Sequence, residues 1–228
     1  MTSAFDAYRE RYDSVVQDSI AFSGLRHGFF LDAKIELLGR LFRERFGAAV
    51  RPALLDVGCG VGLLHGGLRA LTRSLVATDL SREALARAAA ENPGVDYRPQ
   101  DGNRLPAEAS AFDASLATCV LHHVPAGERA ALLAEMRRVT RPGGLVVLIE
   151  HNPWNLLTRL AVARCPFDHD AALLDAAEGR RLLAGAGLGN VESRHFLLLP
   201  TARPWSRRVE RALDSVPLGA QYFACGTA

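Results

Sequence analysis

Leu54-Leu55-Asp56-Val57-Gly58-Cys59-Gly60-Val61-Gly62 is the stretch that decides the fold. Its short apolar run predicts a buried strand, and an acid ends that run. The glycines at every second position let the following loop turn sharply and approach a ligand without Cβ atoms in the way. A helix is expected next, with free N–H groups facing whatever the loop holds. The stretch therefore predicts a nucleotide-type binding loop at the carboxyl end of a strand in an open α/β sheet.

The spacing of the glycines distinguishes this loop from two other nucleotide loops. A dinucleotide fingerprint needs a glycine where the chain has Leu63, and a Walker loop needs a Gly-Lys-Ser/Thr sequence that does not follow. The pattern acid-x-Gly-x-Gly-x-Gly resembles instead the first motif of the class I S-adenosylmethionine-dependent methyltransferases. The resemblance implies S-adenosyl-L-methionine as cofactor, S-adenosyl-L-homocysteine as product, and cofactor contacts from Asp56, Gly58, Cys59, Gly60 and Gly62.

A second apolar run, Leu75-Val76-Ala77-Thr78-Asp79-Leu80-Ser81, also ends in an acid, after a gap that fits one helix and a turn. A carboxylate at the tip of this strand can accept hydrogen bonds from both ribose hydroxyls of a nucleotide. The resemblance implies this contact for Asp79 and a contact between Leu80 and one face of the adenine. The alternative is that Asp79 only caps a helix that begins near Ser81.

Asp101, Gly102 and Asn103 form the third landmark of the resemblance. In the family, an Asp at this place accepts a hydrogen bond from the adenine amino group, and a neighbouring backbone N–H reaches the ring. Asp-Gly-Asn is also an ordinary turn sequence. The position in the chain favours the adenine contact.

The fourth landmark is Ala111–Val124, in which a Phe-Asp pair opens a strand and a loop with two histidines follows. Many small-molecule members of the family show a similar pattern. The resemblance implies that Cys119 and Val120, at the end of this strand, line the cofactor.

The fifth landmark is Arg138–Glu150, which predicts a helix that ends before Pro142, a turn at Gly143-Gly144 and a fully apolar strand. An Arg-Pro-Gly-Gly element before a strand is characteristic of the family. The five landmarks follow one another in the family's order over roughly residues 50–150.

The alternation of strand and helix signals predicts an α/β fold with a mostly parallel sheet. The resemblance implies a Rossmann-like three-layer α/β/α sandwich, with seven strands of which the last is antiparallel. We expect one methyltransferase domain over 1–228. Its parts are an N-terminal helical cap over 1–48, the cofactor-binding core over 50–150, and substrate-side insertions and final strands over 151–228.

Phe22–Phe30, within the cap, carries three Phe and two glycines that interrupt the helical rhythm. In similar enzymes such a segment covers the cofactor as a lid, and apolar residues beside glycine hinges suit a part that moves. The alternative is a pair of helices that simply packs against the sheet edge.

Composition favours a globular cytoplasmic protein, and the resemblance implies a small-molecule acceptor. The chain has 228 residues, 49% apolar residues and a net charge of +2, with neither a secretory signal nor a membrane-spanning run. Four scattered cysteines without Cys-x-x-Cys argue against a zinc site or disulfides, and no Asp/Asp/Asn set indicates a metal. The arginines at 203, 207, 208 and 211 predict a solvated helix face and not a nucleic-acid groove. The chain is expected to be a monomer or homodimer.

His123, His151 and His122 are the candidates for a general base, because histidine titrates near neutrality and all three follow strands that end at the same edge. Consecutive residues usually point apart, so at most one of His122 and His123 should face the acceptor. His123 is preferred, and His151 comes next. The alternative for each is a loop histidine that bonds backbone groups.

Beyond Glu150 the resemblance loosens, and acceptor selection should begin. Helices are expected over 156–163 and 176–186, strands over 191–199 and 221–225, and a Pro-rich connection between the two strands. The segment Arg164–Asp170 is too polar and Pro-broken to be core, with Cys165 expected as an exposed thiol. Asp168 and His169 could reach inward or face solvent.

The expected reaction is methyl transfer to a small-molecule hydroxyl oxygen of a natural product or sugar derivative. C-methylation of a quinone- or lipid-like acceptor is the alternative within enzymes, and a non-catalytic cofactor-binding scaffold is the alternative outside them. Asn152-Pro153-Trp154 imitates a motif of nucleic-acid amino methyltransferases, but that motif belongs after the fourth strand and has a second proline. Nucleic-acid methylation is therefore not expected.

Overall fold

The computed structural model of the chain describes residues 12–201 and 204–228. Arg203 of the arginine cluster and the first residues of the predicted cap lie outside these ranges. None of the described helices combines the length and the apolar composition that a bilayer span requires.

Seven strands form one sheet in the order β3-β2-β1-β4-β5-β7-β6. Neighbouring strands are parallel except where β7 pairs with β5 and β6. The prediction of a mostly parallel seven-stranded sheet with an antiparallel last strand is therefore confirmed. The strands are β1 (Ala53–Val57), β2 (Ser74–Asp79), β3 (Asp96–Pro99), β4 (Phe112–Thr118), β5 (Thr140–His151), β6 (Gly189–Phe196) and β7 (Gln221–Thr227).

Helices alternate with the first strands and cover both faces of the sheet. Two of them precede β1 and form the N-terminal cap. The helices are α1 (Tyr12–Ile20), α2 (His27–Phe46), α3 (His65–Leu71), α4 (Arg82–Glu91), α5 (Arg129–Val139), α6 (Leu156–Arg164), α7 (Ala176–Gly185) and α8 (Pro204–Ala212).

Two apolar clusters, one on each face of the sheet, make the core. Adjacent residues of β1 divide between them: Leu55 belongs to the cluster that contains Met136 of α5, and Leu54 belongs to the cluster that contains Leu38 of α2. This division follows from the alternation of side chains along a strand. A strand buried on both faces needs apolar residues on both, which explains why every residue of β1 except Asp56 is apolar. The three-layer Rossmann-like architecture is confirmed.

Three local expectations differ from the structure. The Pro-rich connection before β7 contains α8, which begins at Pro204; proline is compatible with the first turn of a helix because its missing N–H has no helical partner there. The Pro142-Gly143-Gly144 turn lies inside β5, where Gly143 has φ +74° and the pairing with β4 shifts register. Gly28 lies inside α2, so Gly24, with φ +69°, is the break between the cap helices.

Candidate active site

The glycine loop, residues 58–62, joins β1 to α3 at the carboxyl edge of the sheet. Gly58, Gly60 and Gly62 all have positive φ, at +69°, +55° and +76°. The Gly58 and Cys59 N–H groups both donate to the Thr78 carbonyl, at 2.8 and 3.0 Å. A Cβ on Gly58 would lie 2.7 Å from the Val120 side chain. Glycine is therefore required by both conformation and space, and the loop is held between β2 and the residues that follow β4.

Asp56 supports the glycine loop from below. Its side chain is 5% exposed, and its Oδ2 lies 3.1 Å from Nε2 of His65. The other ring nitrogen of His65 is 2.7 Å from the Tyr97 hydroxyl, which donates to the Ala88 carbonyl. This chain of hydrogen bonds connects β1, α3, β3 and α4 beneath the loop. A direct contact between Asp56 and the donor stays a prediction.

Asp79 bridges the glycine loop and the start of α4. Its Oδ2 accepts from the Gly60 N–H at 2.8 Å, and its Oδ1 accepts from the Ser81 N–H at 2.9 Å. Burial raises the pKa of the Asp79 carboxyl, against the lowering effect of these two N–H donors. The N-cap of α4 is Ser81, whose hydroxyl accepts from the Ala84 N–H, so Asp79 is not the cap residue itself. The contact between Asp79 and the ribose stays a prediction.

Leu80 is 66% exposed beside Asp79. Its side chain lies on the surface at the tip of β2, where an adenine ring bound next to Asp79 would need an apolar contact. The contact with adenine stays a prediction.

Asp101, Gly102 and Asn103 form a tight turn after β3. Asp101 and Arg104 make an isolated bridge, and Gly102 has φ +56°. The Asn103 amide donates to the Glu128 carboxylate at 3.1 Å, while Asp101 is exposed. The turn expected from the sequence exists, and it leaves the Asp101 carboxylate exposed. Its contact with adenine remains a prediction.

Cys119 ends β4 in a strained backbone conformation, with φ +56° and its N–H bonded to the Ile149 carbonyl at 2.7 Å. Its Sγ lies 3.8 Å from Nζ of Lys34, which α2 brings over this edge. Burial raises the pKa of the thiol, but Lys34 and His151 outweigh burial and lower it to about 7. A buried lysine of the cap thus faces the predicted cofactor residues at the end of β4.

The histidine loop, residues 119–124, is anchored by Glu150 of β5. One carboxylate oxygen of Glu150 accepts from the Val120 and Leu121 N–H groups, at 3.0 and 2.7 Å. The other lies 2.5 Å from Nδ1 of His122. Burial alone would lower the pKa of His122, but Glu150 and Asp168 raise it to about 10. The buried carboxylate therefore fixes both the backbone of the loop and the His122 ring.

Asp168 brings the two adjacent histidines together. Its Oδ1 lies 3.5 Å from Nε2 of His122 and 3.3 Å from Nε2 of His123. The two imidazole centroids are 4.2 Å apart. The expectation that consecutive histidines point apart is wrong, because a single 3-10 turn carries both rings toward the same carboxylate.

His151, at the end of β5, completes the cluster. Its ring centroid is 5.3 Å from that of His122, and its Nδ1 lies 3.4 Å from the Gln221 side-chain amide. His151 and Gln221 lie opposite each other on the paired strands β5 and β7. All three predicted base candidates therefore lie at the same edge as Cys119 and the glycine loop.

The segment Arg164–Asp170 contributes more than its polarity suggests. Cys165 and Phe167 are buried at 8% and 6% exposure, so the expectation of an exposed thiol outside the core is wrong. The turn that starts at Pro166 directs Phe167 inward and leads to Asp168. His169 faces solvent, with 88% of its side chain exposed.

Glu150, Lys34 and Gln221 are site residues that the sequence analysis did not select. Glu150 could have been suspected as an acid that ends a fully apolar strand, and Lys34 as the only lysine of the chain. Gln221 gives no such signal, because its place depends on the antiparallel pairing of β7.

The predicted lid, Phe22–Phe30, is packed in this structure. The Gln17 amide holds its turn by bonding the Leu25 carbonyl and the His27 N–H, at 3.0 and 2.8 Å. Phe22 lies under the Arg164 guanidinium, and Phe29 and Phe30 pack against the core face of the cap. The Phe22 contact joins this segment to α6, and its observed position is compatible with both the lid and the packing interpretation.

Comparison with known proteins identifies relatives over much of the chain. A sequence profile for a methyltransferase domain matches residues 55–148. The ubiquinone biosynthesis O-methyltransferase of Caulobacter vibrioides is 32% identical over 184 residues, covering 72% of this chain and 71% of that protein. Its namesake in Dinoroseobacter shibae is 30% identical over 166 residues, covering 67% and 66%. The match to the Parvibaculum lavamentivorans protein of the same name, 35% identical over 112 residues, covers 46% of this chain and 44% of that protein.

Solved structures share the fold. A Thermotoga maritima methyltransferase, described as a possible histamine N-methyltransferase, superposes with a TM-score of 0.68 at 16% identity, over 98% of this chain and 96% of that chain. The methyltransferase CalH, in complex with S-adenosylhomocysteine, superposes with a TM-score of 0.57 at 23% identity, over 85% and 54%. The strand order, the glycine loop and these matches agree. The chain belongs to the class I S-adenosylmethionine-dependent methyltransferases, whose cofactor is S-adenosyl-L-methionine.

Proposed function

We propose that this protein transfers the methyl group of S-adenosylmethionine to a hydroxyl oxygen of a small molecule. The observation that carries the proposal is the meeting of His122, His123 and His151 at the sheet edge that also carries the glycine loop. A sulfonium methyl is already activated, so transfer is a displacement that depends mainly on alignment. An aliphatic hydroxyl must also lose a proton, and imidazoles beside the transfer point can accept it.

The cofactor side of the proposal rests on the loop and the tip of β2. Gly58, Gly60 and Gly62 leave backbone room for the amino-acid tail of the donor. The Asp79 carboxylate would accept hydrogen bonds from the ribose hydroxyls, and the Leu80 side chain would cover one face of the adenine. The Lys34 ammonium, near Cys119, adds positive charge beside the place assigned to the donor's carboxylate end.

The base is assigned to His123 or His151. His123 is about a quarter exposed and is oriented by Asp168, an arrangement of imidazole and carboxylate that suits proton transfer. His151 is also partly exposed, on the other side of His122. His122 is 1% exposed and bonded to Glu150, which suits it to hold the loop.

The relatives named for ubiquinone biosynthesis favour an oxygen acceptor over a carbon acceptor, since their names specify O-methyl transfer. The acceptor class, a polar natural product or sugar derivative, rests on the polar groups of the Arg164–Asp170 segment. C-methylation of a quinone-like acceptor is the second candidate, favoured by exposed apolar side chains of Trp154, Leu156 and Leu157 beside the site. The free thiols support action in a reducing cytoplasm.

Two measurements test the proposal. Calorimetry should detect S-adenosylhomocysteine binding, and its absence at high micromolar concentration would contradict the cofactor assignment. Incubation of the full chain with S-adenosylmethionine and a panel of hydroxylated and carbon-acid acceptors should give products heavier by one methylene. The chemical shift of the new methyl group separates O- from C-methylation, and no consumption with any acceptor would favour a non-catalytic role.

A further inference from the structure

The side chains of His122, His123 and Asp168 form a compact set of three potential metal ligands. One ligand atom of each lies within 4.8 Å of the others. The Oδ1 atom of Asp168 is 3.5 Å from Nε2 of His122 and 3.3 Å from Nε2 of His123. Donor atoms that share one ion at about 2.0–2.2 Å are themselves about 3–3.6 Å apart. The spacing therefore suits a single ion between them.

A second observation points to a missing partner. Nε2 of His122 is buried in a side chain that is 1% exposed, and it makes no regular hydrogen bond within the described residues, because the Oδ1 atom of Asp168 that faces it is 3.5 Å away. Its other nitrogen is committed to Glu150. A buried polar atom without a partner is costly, so something positive is expected between Nε2 and the facing carboxylate.

Glu150 gives His122 the environment of a metal ligand. Histidines that bind metals usually donate their second ring N–H to a carboxylate, which fixes the ring and strengthens its basicity. The 2.5 Å contact between Glu150 and Nδ1 of His122 has this form. The Glu150 carboxylate is itself held by two backbone N–H groups, at 3.0 and 2.7 Å. The ring is thus oriented with Nε2 toward Asp168.

The charge at this place also favours a cation. The ion pairs recorded for Glu150 and Asp168 in the described part of the chain are with histidines alone. Two carboxylates beside three imidazoles would be balanced by one divalent ion. Two imidazoles with one carboxylate and open positions favour a first-row transition ion over Mg²⁺ or Ca²⁺.

We propose that His122, His123 and Asp168 bind one divalent first-row transition-metal ion, with open positions that take the acceptor oxygen. This inference rests on the proposed function, because the acceptor is the hydroxyl that is to be methylated. A bound divalent ion lowers the pKa of a coordinated hydroxyl, so it prepares the oxygen for attack. His123 is then a ligand, which leaves His151 to receive the proton. An acceptor with two neighbouring oxygens would fit best, since both can bind the ion.

The alternative occupant of this position is a proton shared between His122 and Asp168. A proton accounts for the His122–Asp168 pair, and His123 is then held by its own contact with Asp168, at 3.3 Å. An ion engages all three side chains. The two possibilities differ in whether the metal-free chain binds an ion with fixed stoichiometry.

Equilibrium dialysis of the tag-free, chelator-treated full chain against Zn²⁺ and Co²⁺ tests the proposal. We expect one ion per chain, and a visible Co²⁺ absorption band typical of imidazole and carboxylate ligands. His123→Ala and Asp168→Asn should each weaken binding by at least about tenfold. The matched controls are His169→Ala and Asp170→Asn, because these neighbours are 88% and fully exposed. Thermal unfolding without metal checks that all four variants fold.

No saturable binding, or binding that both His123→Ala and Asp168→Asn leave unchanged, would overturn the proposal. Calorimetry with S-adenosylhomocysteine on the same samples distinguishes a failure of the metal proposal from a failure of the proposed methyl transfer. Cofactor binding without metal binding rejects the ion and leaves the proposed methyl transfer intact. If the wild-type chain does not bind S-adenosylhomocysteine, the proposed function is rejected, whether or not the chain binds metal.

Discussion

The Oδ2 atom of Asp79 accepts a hydrogen bond from the Gly60 N–H at 2.8 Å, which ties the tip of β2 to the glycine loop. The same carboxylate is the predicted partner of the cofactor ribose. It therefore both shapes the loop and would contact the ligand that the loop binds.

Asp79→Ala should weaken S-adenosylhomocysteine binding by about 1–3 kcal/mol, or about 5- to 150-fold, because charge-assisted hydrogen bonds are lost. Calorimetry measures the change. Asp96→Asn, on the exposed surface of neighbouring β3, is the control and should bind like wild type. Equal affinity of Asp79→Ala and wild type would refute the ribose assignment.

Gly62→Ala should abolish most cofactor binding and lower stability. At φ +76° the new Cβ would lie 2.6 Å from Nδ1 of His65, within the hydrogen-bond chain under the loop. Gly66→Ala is the matched control, because its Cβ would meet nothing within 4 Å and it lies in α3. Thermal unfolding and calorimetry on both variants measure the effect. A Gly62→Ala protein as stable and as tight-binding as Gly66→Ala would contradict this account of the loop.

Cys119 should be the thiol that reacts at neutral pH. Its pKa is lowered to about 7, so its thiolate fraction grows as pH rises through 7 and is small at pH 6. Burial raises the pKa of Cys165 and Cys225 to about 12, which keeps them protonated. Iodoacetamide labelling followed by peptide mass measurement from pH 6 to 8 tests the difference.

Lys34→Met gives a matched variant for the thiol, because Lys34 is the main group that lowers the pKa of Cys119. Its labelling midpoint should move to higher pH. S-adenosylhomocysteine should protect Cys119 in wild type. Equal labelling of all four cysteines, or no shift in Lys34→Met, would contradict the electrostatic explanation.

Asp113, at the edge of the sheet opposite to the glycine loop, should make the stability of the fold depend on pH. Burial raises the pKa of its carboxyl, but the Ala53 N–H, Arg141 and Arg73 outweigh burial and lower it. A depressed folded pKa gives stability that is present above the unfolded value near 3.8 and is lost as pH falls through the folded value. Asp113→Asn should cost about 1–3 kcal/mol at pH 7.

Denaturant unfolding between pH 3 and 7 measures this effect. The stability gap between wild type and Asp113→Asn should shrink below pH 4, while cofactor affinity at pH 7 stays the same in both. A gap that is constant with pH would show that the carboxylate charge is not the cause.

His151→Ala should lower turnover by about 10²- to 10⁴-fold if His151 takes the acceptor proton, and should spare cofactor affinity. His123→Ala should also lower turnover, either as the base or as a metal ligand. His169→Ala is the control and should retain wild-type turnover. Single-turnover rates with a substrate found in the acceptor screen provide the measurement, and unchanged rates in both His151→Ala and His123→Ala would leave alignment alone as the mechanism.

The sequence predicted those parts of the fold that depend on local pattern. The apolar run of β1, the glycines after it and the start of β7 at Gln221 follow from composition over a few residues. The helix α8 was missed because a proline in the sequence indicates either an irregular segment or the first turn of a helix. The sequence alone does not show that Pro204 lies in a first turn.

The site was predictable only in part, because its side chains meet across long separations in sequence. Asp168 reaches His122 and His123 from a segment beyond α6, and Gln221 reaches His151 through the pairing of β7. Residue spacing carries no information on such contacts. The motif at 58–62 was predictable because the positive φ angles of its glycines are a local requirement.

The place of β7 between β5 and β6 has a consequence for synthesis on the ribosome. Within the described sheet β6 hydrogen-bonds only to β7, and β5 hydrogen-bonds to β4 on one side and to β7 on the other. Until Gln221–Thr227 emerges, the nascent polypeptide exposes two unsatisfied strand edges, which are templates for intermolecular association. Termination before Gln221 would therefore release a chain prone to aggregate.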